Sequence, residues 1–276
     1  METTNEHLTF GVIGATGKTG RRVADLLDAG GHTVRRLARG TVPRFDWEQP
    51  DGWAQALRGV DRLYITYVPD LAAPGAGTAI TRLMEVARDT GVRRAVLLSG
   101  RGEEGARRCE EIVLGSGIPA TIVSAGWFIQ NFTEGALSGA LESGVLAIAA
   151  AQVREPFVDV DDIAAVVTTV LTDDGHEGRR YELTGPESLT FGEVATLLTE
   201  LTGRDIRYVP MGFEEFHAAV AEEAGPETAT LLTELCREVF DGRNETPADG
   251  VQQVLGREPR GVRDVLAGAL TAGRLA

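Results

Sequence analysis

The chain has 276 residues, and its 41 acidic residues against 27 basic ones give a formal net charge of −14. Hydrophobic residues make up 43% of the sequence, which is enough for a substantial core in one large domain or slightly more. The negative charge repels polyphosphate backbones and anionic lipids, so it disfavours direct nucleic-acid binding and membrane association. Because Lys18 is the only lysine, any mechanism that needs a lysine must use it.

Signals for targeting and for metal binding are missing from the sequence. The amino terminus carries no basic segment followed by an apolar one, which predicts a cytoplasmic protein. The four histidines and two cysteines lack the spacing of metal ligands or redox pairs, so we expect no metal site.

The first half of the chain alternates short apolar runs with helix-like segments. The predicted strands are Thr9–Ile13, Thr33–Leu37, Arg62–Thr66, Ala95–Leu98 and Thr121–Val123. The predicted helices are Thr19–Ala29, Trp53–Leu57, Thr78–Thr90 and Glu104–Gly115. This alternation, with strands that are apolar on both faces, predicts an α/β fold with a doubly wound parallel sheet of the Rossmann type.

The alternation loosens beyond about residue 135. A capping-box pattern at Thr190 and Glu193 predicts a helix that runs to Thr202. Further predicted elements are a helix at 162–171, strands at 181–183 and 206–209, and amphipathic helices at 213–224 and 227–240. No linker interrupts the chain, so we expect a dinucleotide-binding core at 1–150 and a smaller C-terminal α/β substrate lobe at 151–276, packed on the core and separated from it by a cleft.

A glycine-rich loop, Gly14–Gly20, follows the first predicted strand and opens the first predicted helix. Its spacing is G-x-x-G-x-x-G. Glycines at this junction permit a tight turn and a close backbone approach to a pyrophosphate, and the helix N-terminus attracts the anion. The predicted contacts are Gly14, Thr16, Gly17, Lys18, Thr19 and Gly20. The alternative is a tight turn that binds no ligand.

The end of the second predicted strand bears on the choice between NAD and NADP. No acidic residue lies between Thr33 and Phe45, whereas arginines stand at positions 35, 36, 39 and 44. Arginine near this point accommodates the 2′-phosphate of NADP, and a carboxylate would instead bind the ribose diol of NAD. We predict Arg39 as the main phosphate ligand, with Arg36 and Lys18 next. The alternative is a solvated basic edge.

These motifs resemble those of the NmrA-like family of atypical short-chain dehydrogenases, which includes type 2 NAD(P)H-quinone reductases. The similarity extends across nearly the whole chain and also rests on Gly117–Ile122, Gly126–Phe132, Pro156–Ile163, and Tyr181–Pro186 leading into Leu189–Glu193. The resemblance implies a Rossmann core, NADP(H) as cofactor and a C-terminal substrate lobe. The family contains NADPH-dependent quinone reductases and also redox sensors that bind the dinucleotide without turning it over.

The resemblance also implies positions for the ligands. It places the pyrophosphate at residues 16–19, the adenine near Asp46 and Trp47, the nicotinamide ribose near Tyr67 and Val68, and residues 99–101 beside the nicotinamide. The candidates for the substrate pocket are Tyr67, Ser99, Trp127, Phe128, Gln130, Asn131 and Phe132.

Two departures from the family and its relatives bear on mechanism. Ser124 and Ala125 stand where the family usually has Arg-Pro. Typical short-chain dehydrogenases use a tyrosine acid whose ionisation is favoured by a lysine four residues later. None of the tyrosines here has a lysine at that spacing. The sequence therefore predicts a protein without the Tyr/Lys dyad.

Three functions remain open at this point. The leading hypothesis is an NADPH-dependent reductase of a quinone, enone or related aromatic carbonyl compound, acting by direct hydride transfer in secondary metabolism. The second is a non-catalytic NADP(H) sensor that binds a protein partner, and the third is a non-redox enzyme on the same fold. A small aromatic or quinone-like molecule is the expected partner of the first, and a homodimer is compatible with all three.

Overall fold

The computed structural model describes residues 8–135, 137–273 and 275. Its strands are β1 (Thr9–Ile13), β2 (Thr33–Leu37), β3 (Arg62–Ile65), β4 (Arg94–Gly100), β5 (Ala120–Ala125), β6 (Val145–Ile148), β7 (Arg154–Glu155), β8 (Arg180–Leu183), β9 (Leu189–Thr190) and β10 (Arg207–Pro210). Its helices are α1 (Lys18–Ala29), α2 (Trp53–Leu57), α3 (Ala76–Asp89), α4 (Glu104–Leu114), α5 (Asn131–Glu134), α6 (Ala140–Ser143), α7 (Val160–Thr172), α8 (Phe191–Thr202), α9 (Phe213–Ala224), α10 (Pro226–Val239), α11 (Gly250–Leu255) and α12 (Val262–Thr271).

Six strands form the central sheet, in the order β2-β1-β3-β4-β5-β8. Val12 of β1 lies level with Arg36 of β2 and Tyr64 of β3, and these strands and β4 run parallel. The amides of Ile122 and Gly126 bond to the carbonyls of Arg179 and Leu183, so β8 runs parallel to β5 as well. The predicted doubly wound parallel sheet is confirmed.

The chain forms two compact units. The first contains the described parts of Met1–Gly100, Glu104–Ser124 and Val160–Tyr181, and the second contains those of Arg101–Glu103, Ala125–Asp159 and Glu182–Ala276. The predicted boundary at residue 150 therefore lies inside a segment of the second unit, and helix α7 belongs to the first. The chain passes between the units several times.

Each unit has its own apolar core. In the first, the buried indole of Trp53 stacks on Phe45 with ring centroids 5.5 Å apart. In the second, the buried rings of Phe132 and Phe191 each pack on Phe157, at 5.4 and 5.2 Å. Such aromatic clusters contribute a large share of the apolar area that each core removes from water.

The regular elements follow the sequence pattern closely. Strands β1 and β2 and helices α2 and α9 have the predicted bounds, and the other predicted elements differ by a few residues at most. The elements without a sequence signal are the short ones: β6, β7, β9, α5, α6, α11 and also α12. Strand β6 forms only because it pairs with β10, and β7 only because it pairs with β9, which are partners remote in sequence.

No helix among the described residues is both long enough and apolar enough to cross a membrane.

The capping box predicted for α8 is present and offers a test of local stability. The Thr190 hydroxyl accepts from the Glu193 amide at 3.1 Å, and the Glu193 carboxylate accepts from the Thr190 amide at 2.7 Å. We expect Thr190→Ala to lower the free energy of unfolding by about 1 kcal/mol, because an amide at the helix start loses its acceptor. Denaturant unfolding measures the change.

Thr196→Ala is the matched control, because Thr196 lies exposed in the same helix and bonds only to the Gly192 carbonyl. Alanine favours a helix interior, so this variant should be as stable as the wild type or slightly more stable. Equal losses in the two variants would contradict the assigned role of the cap.

Candidate functional site

The glycine loop joins β1 to α1 in a tightly packed turn. Gly14 has a φ of 72°, and a Cβ there would meet the Thr66 hydroxyl at 2.3 Å. A Cβ on Gly20 would meet the Gly14 carbonyl oxygen at 2.2 Å, so only glycine lets the helix approach the turn this closely. Gly17 and Thr16 remain exposed. The two outer glycines shape the turn, and the middle of the loop stays accessible.

The start of α1 offers backbone donors to an anion. Gly17 occupies the N-cap position and has no side chain with which to cap the helix, and the first turn contains no acidic residue. An uncapped helix start carries unsatisfied N–H groups and a partial positive charge. Lys18 adds a positive side chain at this point, whereas the Thr19 hydroxyl is buried and accepts from Tyr64 at 2.9 Å. The loop therefore fits a phosphate group bound by its backbone.

Two of the four arginines near β2 serve the structure of the first unit. Arg35 donates to two backbone carbonyls at the end of α2. Arg36 bonds to Asp25 at 2.9 Å and also to Asp28, both on α1. These two guanidinium groups are therefore engaged within the protein.

The other two arginines differ from each other. Arg44 bonds to Asp46 at 2.6 Å, and this hydrogen bond lowers the pKa of the Asp46 carboxyl. Arg39 lies exposed just past β2 and forms no hydrogen bond or ion pair with any residue that the structure describes. Of the four, Arg39 is thus the one whose guanidinium is available to a ligand.

An aromatic group lies next to this charge cluster in the first unit. The ring of Trp47 packs edge-on against Tyr67, Phe45 and Trp53, with centroid distances of 4.7, 5.2 and 5.4 Å. Tyr67 is half-buried, and Val68 after it is 62% exposed. The structure brings Trp47 into contact with Tyr67, and the family resemblance assigns both residues to the cofactor.

Ser99 takes part in a buried polar chain in the first unit. Its hydroxyl donates to Oε1 of Glu110 at 2.6 Å, and Oε2 of Glu110 accepts from Arg180 at 2.6 Å. Both Ser99 and Glu110 are buried. Since its proton is committed to Glu110, the Ser99 oxygen can only accept a hydrogen bond from a ligand.

The predicted pocket segment, residues 127–132, lies in the second unit and is divided between core and surface. Phe132 is 1% exposed and belongs to the aromatic core. Trp127 is half-buried, with its ring 4.9 Å from that of Phe240. Phe128 and Asn131 are also half-buried. Trp127, Phe128 and Asn131 are therefore the members that retain exposed surface.

Gln130 belongs to a buried hydrogen-bonded group of the second unit. Its amide donates to Asp159 at 2.7 Å, and Asp159 also pairs with Arg260. Gln130 and Asp159 are both buried. This arrangement ties the pocket segment to the Pro156–Ile163 segment.

Three tyrosines are unsuited to act as the tyrosine acid of a typical short-chain dehydrogenase. Burial raises the pKa of Tyr64, Tyr67 and Tyr208, that of Tyr208 to about 12. Tyr208 donates to the Ala151 carbonyl at 2.8 Å. A lysine neighbour would shift the pKa in the opposite direction, so none of these phenols is activated for proton transfer.

One buried acid was not predicted from the sequence. Glu155 on β7 is fully buried, and neither of its carboxylate oxygens has a hydrogen-bond partner among the described residues. Burial raises its pKa to about 8, with Arg101 lowering it and Glu245 raising it further. In the sequence, Glu155 is simply an acidic residue between Arg154 and an apolar run. This pattern is too common to predict a buried acid.

The fold is shared with solved reductases. Triphenylmethane reductase of Citrobacter sp., complexed with NADP(H), matches with a TM-score of 0.80 and 23% identity over 95% of this chain and 100% of that one. NADPH-dependent quinone oxidoreductase of Escherichia coli, complexed with NADPH, matches with a TM-score of 0.75 and 22% identity over 95% and 99%. At these identities the likeness shows the fold alone.

Comparison of sequences also shows the family to which the chain belongs. No family model matches the chain. The (4-alkanoyl-5-oxo-2,5-dihydrofuran-3-yl)methyl phosphate reductase of Streptomyces griseus subsp. griseus is 32% identical over 273 residues, which are 92% of this chain and 95% of that protein. The chain belongs to the NmrA-like family of atypical short-chain dehydrogenases. The predicted family membership is confirmed.

The raised pKa of Glu155 makes the stability of this family member depend on pH. The folded state holds the Glu155 proton up to about pH 8, whereas an unfolded chain releases it near the ordinary value of 4.5. The folded state thus binds more protons in this window, and Glu155 lowers the free energy of unfolding as pH rises through it. Glu155→Gln removes the effect. From pH 5 to pH 9 we expect the variant to gain on the order of 1–4 kcal/mol relative to the wild type.

Denaturant unfolding of both proteins across this pH range measures the difference. Glu214→Gln, at an exposed position on α9, is the control and should show a pH-independent difference from the wild type. A constant difference between Glu155→Gln and the wild type would contradict the raised pKa.

Proposed function

We propose that this protein is an NADPH-dependent reductase of a conjugated carbonyl compound, such as a quinone, an enone or a related aromatic carbonyl. The observation that carries the proposal is Arg39 beyond β2, which has no hydrogen-bond or ion-pair partner among the described residues, together with the glycine loop and the start of α1 at Gly17. These groups fit a diphosphate and a second phosphate on one dinucleotide. NADPH has both, whereas NADH lacks the second.

The charges near β2 support NADPH over NADH. Asp25 and Asp28 both pair with Arg36, and Asp46 pairs with Arg44. None of these carboxylates is left without a cation to repel a 2′-phosphate, and Arg39 is available to bind it. The solved relatives complexed with NADP(H) and with NADPH support the same choice.

The known relatives support a conjugated acceptor. The substrate named for the Streptomyces griseus reductase carries an alkanoyl group on an unsaturated lactone ring. The Escherichia coli neighbour is named for its action on quinones. In both substrates a carbonyl is conjugated to a carbon–carbon double bond, so added negative charge is delocalised without a strong acid at the first step.

Bound NADPH would supply a hydride, and residues of this chain would bind the cofactor and the acceptor. The backbone of residues 16–19 would hold the diphosphate, Arg39 the 2′-phosphate, Asp46 and Trp47 the adenine, and Tyr67 and Val68 the nicotinamide ribose. Trp127 and Phe128 would supply apolar surface for a flat acceptor, and Asn131 would supply a polar contact.

Assays of NADPH oxidation with a panel of acceptors test this function. The panel contains benzoquinones, naphthoquinones, α,β-unsaturated lactones and a saturated ketone as the unactivated control. We expect turnover of at least one conjugated acceptor and none of the saturated ketone. Tight NADPH binding without turnover of any acceptor would instead favour a dinucleotide sensor. Absence of dinucleotide affinity would favour a non-redox enzyme.

Cofactor preference is tested by a matched pair of arginine variants. We expect Arg39→Gln to weaken NADPH binding about 10- to 100-fold, because one charged hydrogen-bond partner of the 2′-phosphate is lost. Binding of NADH should not change. Fluorescence titration with both dinucleotides measures the two dissociation constants.

Arg36→Gln is the control for this pair, since its guanidinium is held by Asp25 and Asp28. It should leave the NADPH-to-NADH preference unchanged. A preference that survives Arg39→Gln and disappears in Arg36→Gln would transfer the phosphate contact to Arg36.

A further inference from the structure

A buried polar chain in the first unit ends at the sheet edge where the cofactor is proposed to bind. Ser99, near the end of β4, donates to Oε1 of Glu110 on α4 at 2.6 Å, and Oε2 of Glu110 accepts from Nε of Arg180 at 2.6 Å. Ser99 and Glu110 are 5% and 4% exposed. Removing a carboxylate from water is costly, and the ion pair and the hydrogen bond offset that cost here. No member of this chain takes part in the cofactor contacts proposed above.

Chemistry fixes the direction of each hydrogen bond in this chain. A guanidinium only donates and a carboxylate only accepts, so Glu110 must accept from both of its partners. The hydroxyl proton of Ser99 therefore lies toward Glu110. Among the described residues, no donor bonds to the Ser99 oxygen. This oxygen thus has unused lone pairs, and its position as an acceptor is set by Glu110.

The order of the strands places Ser99 on the opposite side of the glycine loop from Arg39. The central sheet contains the run β2-β1-β3-β4, so Arg39 follows the strand on one side of β1, and Ser99 lies at the end of the second strand on the other side. Neighbouring strands are about 4.8 Å apart, which puts the end of β4 about 10 Å from the loop along this edge. A dinucleotide with its diphosphate on the loop and its 2′-phosphate on Arg39 extends its nicotinamide half toward β3 and β4.

The residues around Ser99 at this edge keep exposed surface. Leu97 of β4 is level with Ile65 of β3, and Ser99 and Tyr67 each follow two residues further along. Tyr67 and Gly100 are both half-exposed. Ser99 is therefore the last buried residue of β4, directly before the accessible end of the strand.

We propose that Glu110 is a positioning residue, which fixes the Ser99 hydroxyl as the acceptor for the carboxamide N–H of the nicotinamide ring. The inference rests on the proposed binding of NADPH. A ribose hydroxyl donates and accepts, so it can bond to a serine in either orientation. The carboxamide nitrogen only donates, so it needs an oxygen whose own proton is directed elsewhere. Glu110 provides this condition, and the resulting bond holds the ring that carries the hydride in one orientation.

The substitution Glu110→Gln reverses the polarity of this contact. Arg180 can only donate, so it bonds to the carbonyl oxygen of the new side chain and leaves the side-chain NH₂ facing Ser99. The Ser99 oxygen then accepts from that NH₂, and its own proton becomes available to a ligand. A serine in this state matches a carbonyl oxygen and no longer matches an N–H.

Calorimetric titration with two oxidised dinucleotides tests the proposal. NADP⁺ carries the carboxamide, whereas 3-acetylpyridine adenine dinucleotide phosphate carries a methyl ketone, which accepts a hydrogen bond and cannot donate one. We expect the wild type to bind NADP⁺ about 10-fold more tightly than the analogue, because the analogue has no N–H for Ser99. In Glu110→Gln this preference should disappear or reverse.

Glu111→Gln is the matched control, since Glu111 is the next residue of α4 and is exposed. It should keep the wild-type preference for NADP⁺. If Glu110 only supported the structure, its substitution would weaken the binding of both dinucleotides by the same factor. An unchanged ratio of the two dissociation constants in Glu110→Gln would therefore overturn the proposal.

A second variant keeps the test decisive if Glu110→Gln folds poorly. Ser99→Ala removes the acceptor and leaves the ion pair between Glu110 and Arg180 in place. It should bind NADP⁺ about 10-fold more weakly than the wild type does and bind the analogue equally well. Equal losses for the two dinucleotides would count against a contact between Ser99 and the carboxamide.

The same titrations separate this inference from the proposed function. A wild type that binds both dinucleotides equally well refutes the carboxamide contact alone. A wild type that binds neither refutes the proposed cofactor and the contact together. The expected preference in a protein that turns over no acceptor supports the contact and contradicts the reductase activity.

Discussion

The parallel direction of the six central strands is the constraint on which the rest of the structure depends. Strands that run parallel end at one edge of the sheet, and every connection from that edge must cross back over a face before the next strand begins. Within the first unit, the glycine loop after β1, Arg39 after β2 and Tyr67 after β3 therefore follow strands that end at a single edge. Residues far apart in sequence reach this edge for that reason.

The charges around β2 support the proposed binding of a phosphorylated cofactor by this acidic chain. Near β2, Arg35 is held by backbone carbonyls, whereas Arg36 and Arg44 are paired with carboxylates. Arg39 has no such partner among the described residues, so its charge adds to the partial positive charge of the start of α1. Because the neighbouring arginines are already paired, Arg39 is the arginine available to bind a phosphate.

The second unit contains a buried carboxyl group, that of Glu155. Arg101 bonds to Glu182 and to two backbone carbonyls, and Glu155 has no hydrogen-bond or ion-pair partner among the described residues. A charged carboxylate would be costly there, and protonation removes that cost. Burial accordingly raises the pKa of the Glu155 carboxyl to about 8.

Much of this protein is determined by its sequence. Glycine spacing, apolar runs and the capping residues of α8 predicted the sheet, most helices and the tight turn between β1 and α1, because each depends on neighbours within a few residues. The short elements β6, β7 and β9 escaped prediction, since their partners are distant in sequence. Only the tertiary structure distinguished Arg39 from Arg36 and showed that Glu155 is buried with no partner among the described residues. Both outcomes depend on which side chains come into contact after folding, and a local sequence pattern does not determine those contacts.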